Sequence, residues 1–216
     1  MLADMVRPGV VVADIGTDHA YLSVYLLLRG LCPYVLACDL SGEALARAKR
    51  NVTLHGLEEQ IELRLSDGLD SLRPEEAEDF VFAGMGSTLM VRLLARTPWI
   101  QNPQKRFLFQ PMSRAEELRV FLCENGFKIQ EENACTDEGR VYIALRAAYT
   151  GRRGGHSPAY SYIGELPCCE APEAKLYLSR QHRLLKKRAE ALSRAGTEPQ
   201  EVFRLQGILS ELENYL

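Results

Sequence analysis

Short apolar runs and longer amphipathic stretches alternate through the first two thirds of the chain. Gly9–Ile15 (GVVVADI) is a near-continuous apolar run ending at Gly16, the pattern of a buried strand. Ala20–Leu31 follows with apolar residues at helical spacing, and Tyr34–Leu40 (YVLACDL) predicts a second strand. Ser41 is placed to cap a helix through His55, with Ala44, Leu45, Ala48 and Val52 on one face. Gln60–Leu65 (QIELRL) alternates as a third strand; Asp79–Ala83 (DFVFA) is a fourth, entering Gly84-Met85-Gly86. Ser87–Arg96 reads as a helix, and Lys105–Gln110 (KRFLFQ) as a fifth strand stopped by Pro111. Ser113 is expected to open another helix, ending at Gly126, with Ala115, Glu116 and Glu117 in a capped acidic first turn. Phe127–Cys135 and Arg140–Ala148, separated by Asp137-Glu138-Gly139, predict a hairpin.

Strand–helix alternation implies an α/β fold with a mostly parallel sheet, here closed by a terminal antiparallel hairpin. Such sheets bind ligands at the carboxyl ends of their strands. Residues 150–171 change character: Gly151-Arg152-Arg153-Gly154-Gly155, Pro158, Pro167 and Pro172 read as a linker. A long helix then runs from Pro172 to about Ala195, with Ala174, Tyr177, Leu178, Leu184, Leu185, Ala191 and Leu192 at helical spacing. Gly196 ends it. Glu198–Leu216 predicts a second helix with a short seam of Val202, Leu205, Leu209, Leu212 and Leu216. The pattern therefore divides into an α/β domain over 1–150, a linker over 151–171 and a coiled-coil-like helical hairpin over 172–216.

Composition narrows the class. With 216 residues, 46% hydrophobic and 25% charged, the chain can bury a real core and is neither disordered nor fibrous. No run approaches the ~18 apolar residues of a membrane helix. Met1–Pro8 carries Asp4 and has no long apolar segment, so it does not read as a signal peptide. The six cysteines include no CxxC pair, which disfavours a metal site and predicts reduced thiols in a cytoplasmic protein. The net charge of −3 is uneven. Residues 1–150 carry 16 basic and 21 acidic residues, whereas 175–194 carry seven basic residues against Glu190 alone. That run fits either a polyanion partner or a solvated helix face.

The first strand exits through Asp14-Ile15-Gly16-Thr17-Asp18-His19-Ala20. A dinucleotide site wants G-x-G-x-x-G, but Asp18 stands where the second glycine would be, and a carboxylate there repels a pyrophosphate. S-adenosylmethionine (SAM) has no phosphate and carries a sulfonium and an ammonium, so Asp14 and the glycine turn suit it better. The second strand ends in Asp39, where an acid can pair both hydroxyls of a ribose. The third ends Ser66-Asp67-Gly68, where an aspartate can accept from an adenine amino group. Three acids at three successive strand ends are far more specific than any one of them. After the fourth strand, Gly84 and Gly86 allow close approach by a ligand or base, or simply a turn into a helix.

The runs VADIGTDHAYL, RLSDGL, AGMGS and FQPM, the EEN…DEGRVY hairpin and the C-terminal helices together resemble the bacterial tRNA adenine-22 N1-methyltransferase family (TrmK) over nearly the whole chain. The resemblance implies a Rossmann-like class I methyltransferase domain, SAM as methyl donor and N1 of an adenine in the D-arm region of tRNA as acceptor. Its catalytic aspartate falls on Asp18, for which contact with SAM or capping of the next helix is the competing role. The implied cofactor site takes in Asp14, Gly16, Thr17, His19, Asp39, Asp67, Gly68, Ala83, Gly84 and Met85. The implied RNA contacts are Gly86, Gln110, Pro111 and the basic residues Lys186, Lys187 and Arg188. No membrane or metal partner is expected, and a monomer is favoured. Departures stand at Ser87, Met112 and Asp39, where the family usually has glycine, asparagine and glutamate. The chain also lacks most of the helix that usually precedes the first strand, which predicts a shortened start. A small-molecule SAM methyltransferase and a non-catalytic SAM- or RNA-binding module are the alternative readings.

Overall fold

The computed structural model describes all residues, Met1–Leu216. A short helix α1 (Leu2–Met5) precedes five parallel strands: β1 (Val12–Ile15), β2 (Val35–Asp39), β3 (Ile61–Leu65), β4 (Asp79–Met85) and β5 (Arg106–Pro111). Between them lie α2 (Tyr21–Leu28), α3 (Gly42–Leu54) and α4 (Ser87–Ala95); α5 (Ala115–Glu124) follows β5. The hairpin β6 (Phe127–Asp137) and β7 (Arg140–Tyr149) completes a seven-stranded sheet of order β3-β2-β1-β4-β5-β7-β6, with β7 antiparallel to β5 and to β6. The order reverses between β1 and β4, which opens a crevice above their carboxyl ends.

Period-two alternation divides each central strand between two buried faces. Ala13, Ile15, Phe80, Phe82, Phe107 and Phe109 join α4 and α5 in one core, while Val12, Val35, Val81 and Leu108 join α1, α2 and α3 in the other. The phenylalanines stack across β4 and β5, Phe80 on Phe107 at 5.5 Å and Phe82 on Phe109 at 5.3 Å. Burial of each such ring contributes roughly 1.5–3 kcal/mol, and so holds the strand ends in place. On α3 the expected cap is present: the Ser41 hydroxyl accepts from Ala44 N–H at 3.3 Å, and Ala44, Ala48 and Val52 are buried.

The expected cap on α5 is absent. Arg114 precedes the helix in a left-handed conformation (φ 54°) with no side-chain cap. Ser113 instead turns toward α4, where its carbonyl accepts from Ser87 N–H at 3.2 Å.

Residues 150–171 are more than a connection. A short helix α6 (Tyr160–Ile163) and a 3-10 turn (Leu166–Cys168) bury Ala159, Tyr162, Ile163 and Leu166. They pack with α7 (Pro172–Ala195), α8 (Pro199–Leu212), Ala115, Ala134 and Ile143 in a third core. Glycine and proline content signalled the turns but not the apolar residues between them. The helical seam also differs from the expected one. Leu205, Ile208 and Leu212 are its buried positions on α8, whereas Leu216 lies beyond the helix and is exposed. On α7, Leu184 and Ala191 face outward.

One ionic contact lies inside this joint. Arg119 and Glu132 are both fully buried and doubly bonded, at 2.8 Å through Nε and 2.8 Å through Nη2. Arg119 Nη1 donates to the carbonyls of Ser161 and Tyr162 at 2.9 and 3.2 Å. Gly164 passes beside the pair at φ 59°, and a Cβ there would strike both side chains. The pair thereby ties α5 and β6 to the segment that leads into α7.

Candidate functional site

The turn after β1 is built from its backbone outward. Gly16 and Thr17 N–H both donate to the Cys38 carbonyl, at 2.8 and 3.0 Å, and bind the turn to β2. Gly16 adopts φ +79°, and any side chain on it would run into the Met85 terminal methyl. Asp14 is buried, and its Oδ2 accepts from the Thr17 hydroxyl at 2.8 Å and the Ser23 hydroxyl at 2.7 Å. Burial pushes the Asp14 carboxyl above its ordinary pKa, the two hydroxyls oppose that, and the nearby Asp39 charge adds to it. Asp14 Oδ1 takes no hydrogen bond from the chain.

Asp39 closes β2 beside this turn. Its Oδ2 accepts from Asp18 N–H at 3.1 Å and its Oδ1 from Ser41 N–H at 2.9 Å. Asp18 itself is left-handed (φ 46°), and its side chain is 56% exposed. Arg47 reaches from α3 to Asp18 Oδ1, with Nη2 at 2.6 Å and Nε at 3.1 Å. One turn further along α3, Asn51 donates to the His19 carbonyl at 2.9 Å. The same helix face therefore grips the loop twice, which holds Asp18 and Ala20 (φ 57°) in a conformation that non-glycine residues disfavour. The His19 ring lies 3.7 Å from Asp18 Oδ2 and stacks on Tyr21 at 5.1 Å.

Asp67 stands at the end of β3, half-exposed. Arg96, just past α4, donates to its Oδ2 at 3.0 Å and to its carbonyl at 2.5 Å, and pairs with Asp70 at 3.1 Å. Gly68 (φ +62°) faces Leu93, which leaves no room for a Cβ. Across the crevice, Gly84 (φ +74°) donates to Gln110 Oε1 at 2.9 Å, at an irregularity in the β4–β5 pairing between Ala83 and Met85. Gly86 caps α4 and abuts the Ser113 hydroxyl.

Most of the expected site residues thus converge on one rim. Asp14, Gly16, Thr17, Asp18, His19 and Asp39 lie over β1 and β2, Asp67 and Gly68 over β3, and Ala83–Gly86 with Gln110 and Pro111 over β4 and β5. Lys186, Lys187 and Arg188 lie in the second half of α7, all exposed, with Arg188 paired to Glu201 of α8 at 3.0 Å. The part of α7 that meets Pro111 and Met112 around one cavity is Tyr177, Arg180, Gln181 and Leu184. Sequence reasoning missed Arg47, Asn51 and Arg96. The four-residue spacing of Arg47 and Asn51 on α3 was the one available signal.

The rim is rich in carboxylates and open glycine backbone. Its chemistry suits a ligand that brings hydroxyls, an amino group and positive charge, rather than one led by phosphate. No group of three or more His, Cys, Asp or Glu side chains is arranged to hold a metal ion. No helix is long and apolar enough to cross a membrane.

Sheet order, antiparallel β7 and the acid-lined glycine turn define a Rossmann-like methyltransferase fold. The chain belongs to the methyltransferase-domain family, whose model matches residues 1–145. Within it, the chain is similar to the tRNA (adenine(22)-N(1))-methyltransferase of Bacillus subtilis, with 31% identity over 162 residues. That match covers 75% of this chain and 66% of the Bacillus protein, just under two thirds of its length. The crystal structure of the B. subtilis M1A22 tRNA methyltransferase TrmK superposes with a TM-score of 0.83 at 25% identity, covering 98% of this chain and 93% of that one. A Streptococcus pneumoniae putative tRNA (m1A22) methyltransferase, solved in complex with S-adenosyl-L-methionine, gives 0.81 at 25% identity and covers 96% of each chain.

Proposed function

We propose that this protein is a cytoplasmic SAM-dependent methyltransferase that modifies N1 of adenine 22 in tRNA. The observation that carries the reading is the ring of carboxylates at the ends of β1, β2 and β3 around the Gly16 turn. The likeness to the M1A22 methyltransferases supports the choice of substrate, because it extends over 98% of the chain and so includes the helical pair. Six free cysteines fit a reducing compartment.

The residues present fit SAM. Asp39 has lone pairs left on both oxygens after taking two backbone N–H groups, enough to accept from two ribose hydroxyls. Asp14 Oδ1 is free to face an ammonium group. Asp67 accepts an adenine amino group as Arg96 yields or shares the carboxylate. Met85 lies over Gly16, so a ligand reaching the turn backbone has to displace its flexible side chain. When bound, SAM supplies an electrophilic methyl group at its sulfonium.

The acceptor needs little activation, because N1 of adenine already carries a lone pair. The product ring is positively charged. Asp18, exposed at the rim and oriented by Arg47, stabilises that developing charge and accepts from the exocyclic amine. Gly86, Gln110 and Pro111 line the approach of the base. N1 lies on the pairing edge, so the target base has to leave its tRNA contacts to arrive there. Basic residues of α7, Lys186 and Lys187 among them, supply phosphate contacts that give affinity rather than sequence choice.

The test is methyl transfer from labelled SAM to unmodified tRNA carrying adenine at position 22, beside the same tRNA carrying guanine there. Label in the first alone, mapped to N1, is the expected result. Label in neither or in both, with SAM binding intact, overturns the substrate assignment.

A further inference from the structure

Two adjoining cavities, of about 580 and 670 Å³, run from the end of β5 past the β6–β7 turn to the first half of α7. β7 runs antiparallel to β5, so its first residues lie at the same end of the sheet as Asp14 and Gln110. Arg140, Val141 and Arg180 line both cavities. Arg140, Arg180 and Arg183 are exposed, and none has a carboxylate within 4.0 Å, although Asp137 and Glu138 belong to the same turn. Arg47, Arg96 and Arg114, by contrast, are each paired with an acid. The inner cavity is mixed: Met112 and Leu184, each 50% exposed, and the half-buried Tyr142 form an apolar wall, while Glu116 and Gln181 lie on its polar side with the arginines.

Unpaired guanidinium groups beside exposed apolar and aromatic side chains match an unstacked ribonucleotide. Its base is covered by the apolar wall and its phosphates by the arginines. We propose that this cleft receives a nucleotide next to the methylated adenine, with the base against Met112, Tyr142 and Leu184 and the flanking phosphates on Arg140 and Arg180. The assignment rests on the tRNA reading given above and deepens it. It adds a contact from Arg180, in the first half of α7, to the phosphate contacts of Lys186 and Lys187 further along the helix. It also gives Met112 a role: an apolar side chain at the mouth of the cleft covers a base face without reading its edge.

The experiment compares the unaltered protein with Arg140→Gln/Arg180→Gln, Met112→Ala and Lys128→Gln, the last at the opposite end of the sheet. Affinity for an unmodified tRNA transcript is measured across salt concentrations, with SAM affinity and thermal unfolding recorded for every variant. The arginine pair variant is expected to bind tRNA roughly tenfold or more weakly, with a salt slope shallower by about two. Met112→Ala is expected to lose roughly fivefold without change in slope, and Lys128→Gln to bind as the unaltered protein does. A short single-stranded RNA should bind better than the same strand in a duplex. Unchanged tRNA affinity in the arginine variant, or equal binding of single strand and duplex, overturns the cleft assignment and leaves the tRNA reading standing. Failure of the unaltered protein to bind tRNA while it binds SAM overturns both.

Discussion

A fully buried arginine–carboxylate pair and two pairs at the open rim do opposite things in this molecule. Arg119 and Glu132 are sealed between α5, β6 and the segment leading to α7, with no exposed surface on either side chain. Arg47–Asp18 and Arg96–Asp67 lie at the open rim, each side chain at least a third exposed. In the buried pair both charges have given up water and depend on each other, so loss of one partner leaves a charge with nowhere to go. At the rim, water screens the attraction and can replace either partner. A ligand can therefore exchange for one partner there with little change in the fold. Binding chemistry sits where ion pairs are cheap to open, and the segment leading into the C-terminal helical pair is fixed where they are not.

The largest test of this contrast is Arg119→Met. The lone buried Glu132 is expected to cost about 3–5 kcal/mol of unfolding free energy, read by urea titration. Arg119→Met/Glu132→Leu should recover much of that loss, and equal instability of the single and double variants would break the buried half of the comparison. Next is Asp18→Asn, expected to reduce methyl transfer roughly a hundredfold or more, with SAM affinity kept. Unchanged turnover would remove Asp18 from the chemistry. Arg47→Met sharpens the same point from the other side, since it should slow transfer without a matching loss of stability.

Asp39→Ala is expected to weaken SAM binding about tenfold or more, as hydrogen bonds to a charged acceptor are lost. Arg96→Ala should instead leave SAM affinity equal or improved, because it frees the Asp67 carboxylate. A large loss there would mean that Arg96 is part of the ligand site. The smallest effect concerns pH. Burial raises the Asp14 carboxyl in the folded protein, so the folded state holds that proton more tightly than the unfolded chain. The Asp14 contribution is thus most favourable below the unfolded pKa and declines as pH rises through the raised folded value. The urea midpoint of Asp14→Asn should gain on that of the unaltered protein between pH 4 and pH 7, roughly the span above an ordinary aspartate pKa. A constant difference would show that the Asp14 site is open to water.

The local patterns were legible. Each central strand, the Ser41 cap and the acids closing β1, β2 and β3 follow from residues adjacent in the chain. The cap position of α5 falls on Arg114 rather than Ser113, whose hydroxyl abuts Gly86 and whose carbonyl accepts from Ser87 N–H, both distant in the chain. The segment 150–171 was misread because its buried residues find their partners on α7 and α8 rather than within their own turns.

Period and capping are short-range properties, so the elements, their alternation and the residues that end each strand are written along the chain. Which cations meet which acids depends on the packed fold. Arg47 pairs with Asp18 and Arg96 with Asp67, each across a separation of 29 residues, while Arg119 finds Glu132 and the carbonyls of Ser161 and Tyr162. Long charged side chains on helices carry no local signature of their partners. Their pairing is set by how the helices pack on the sheet, and that packing is the sum of contacts distant in sequence.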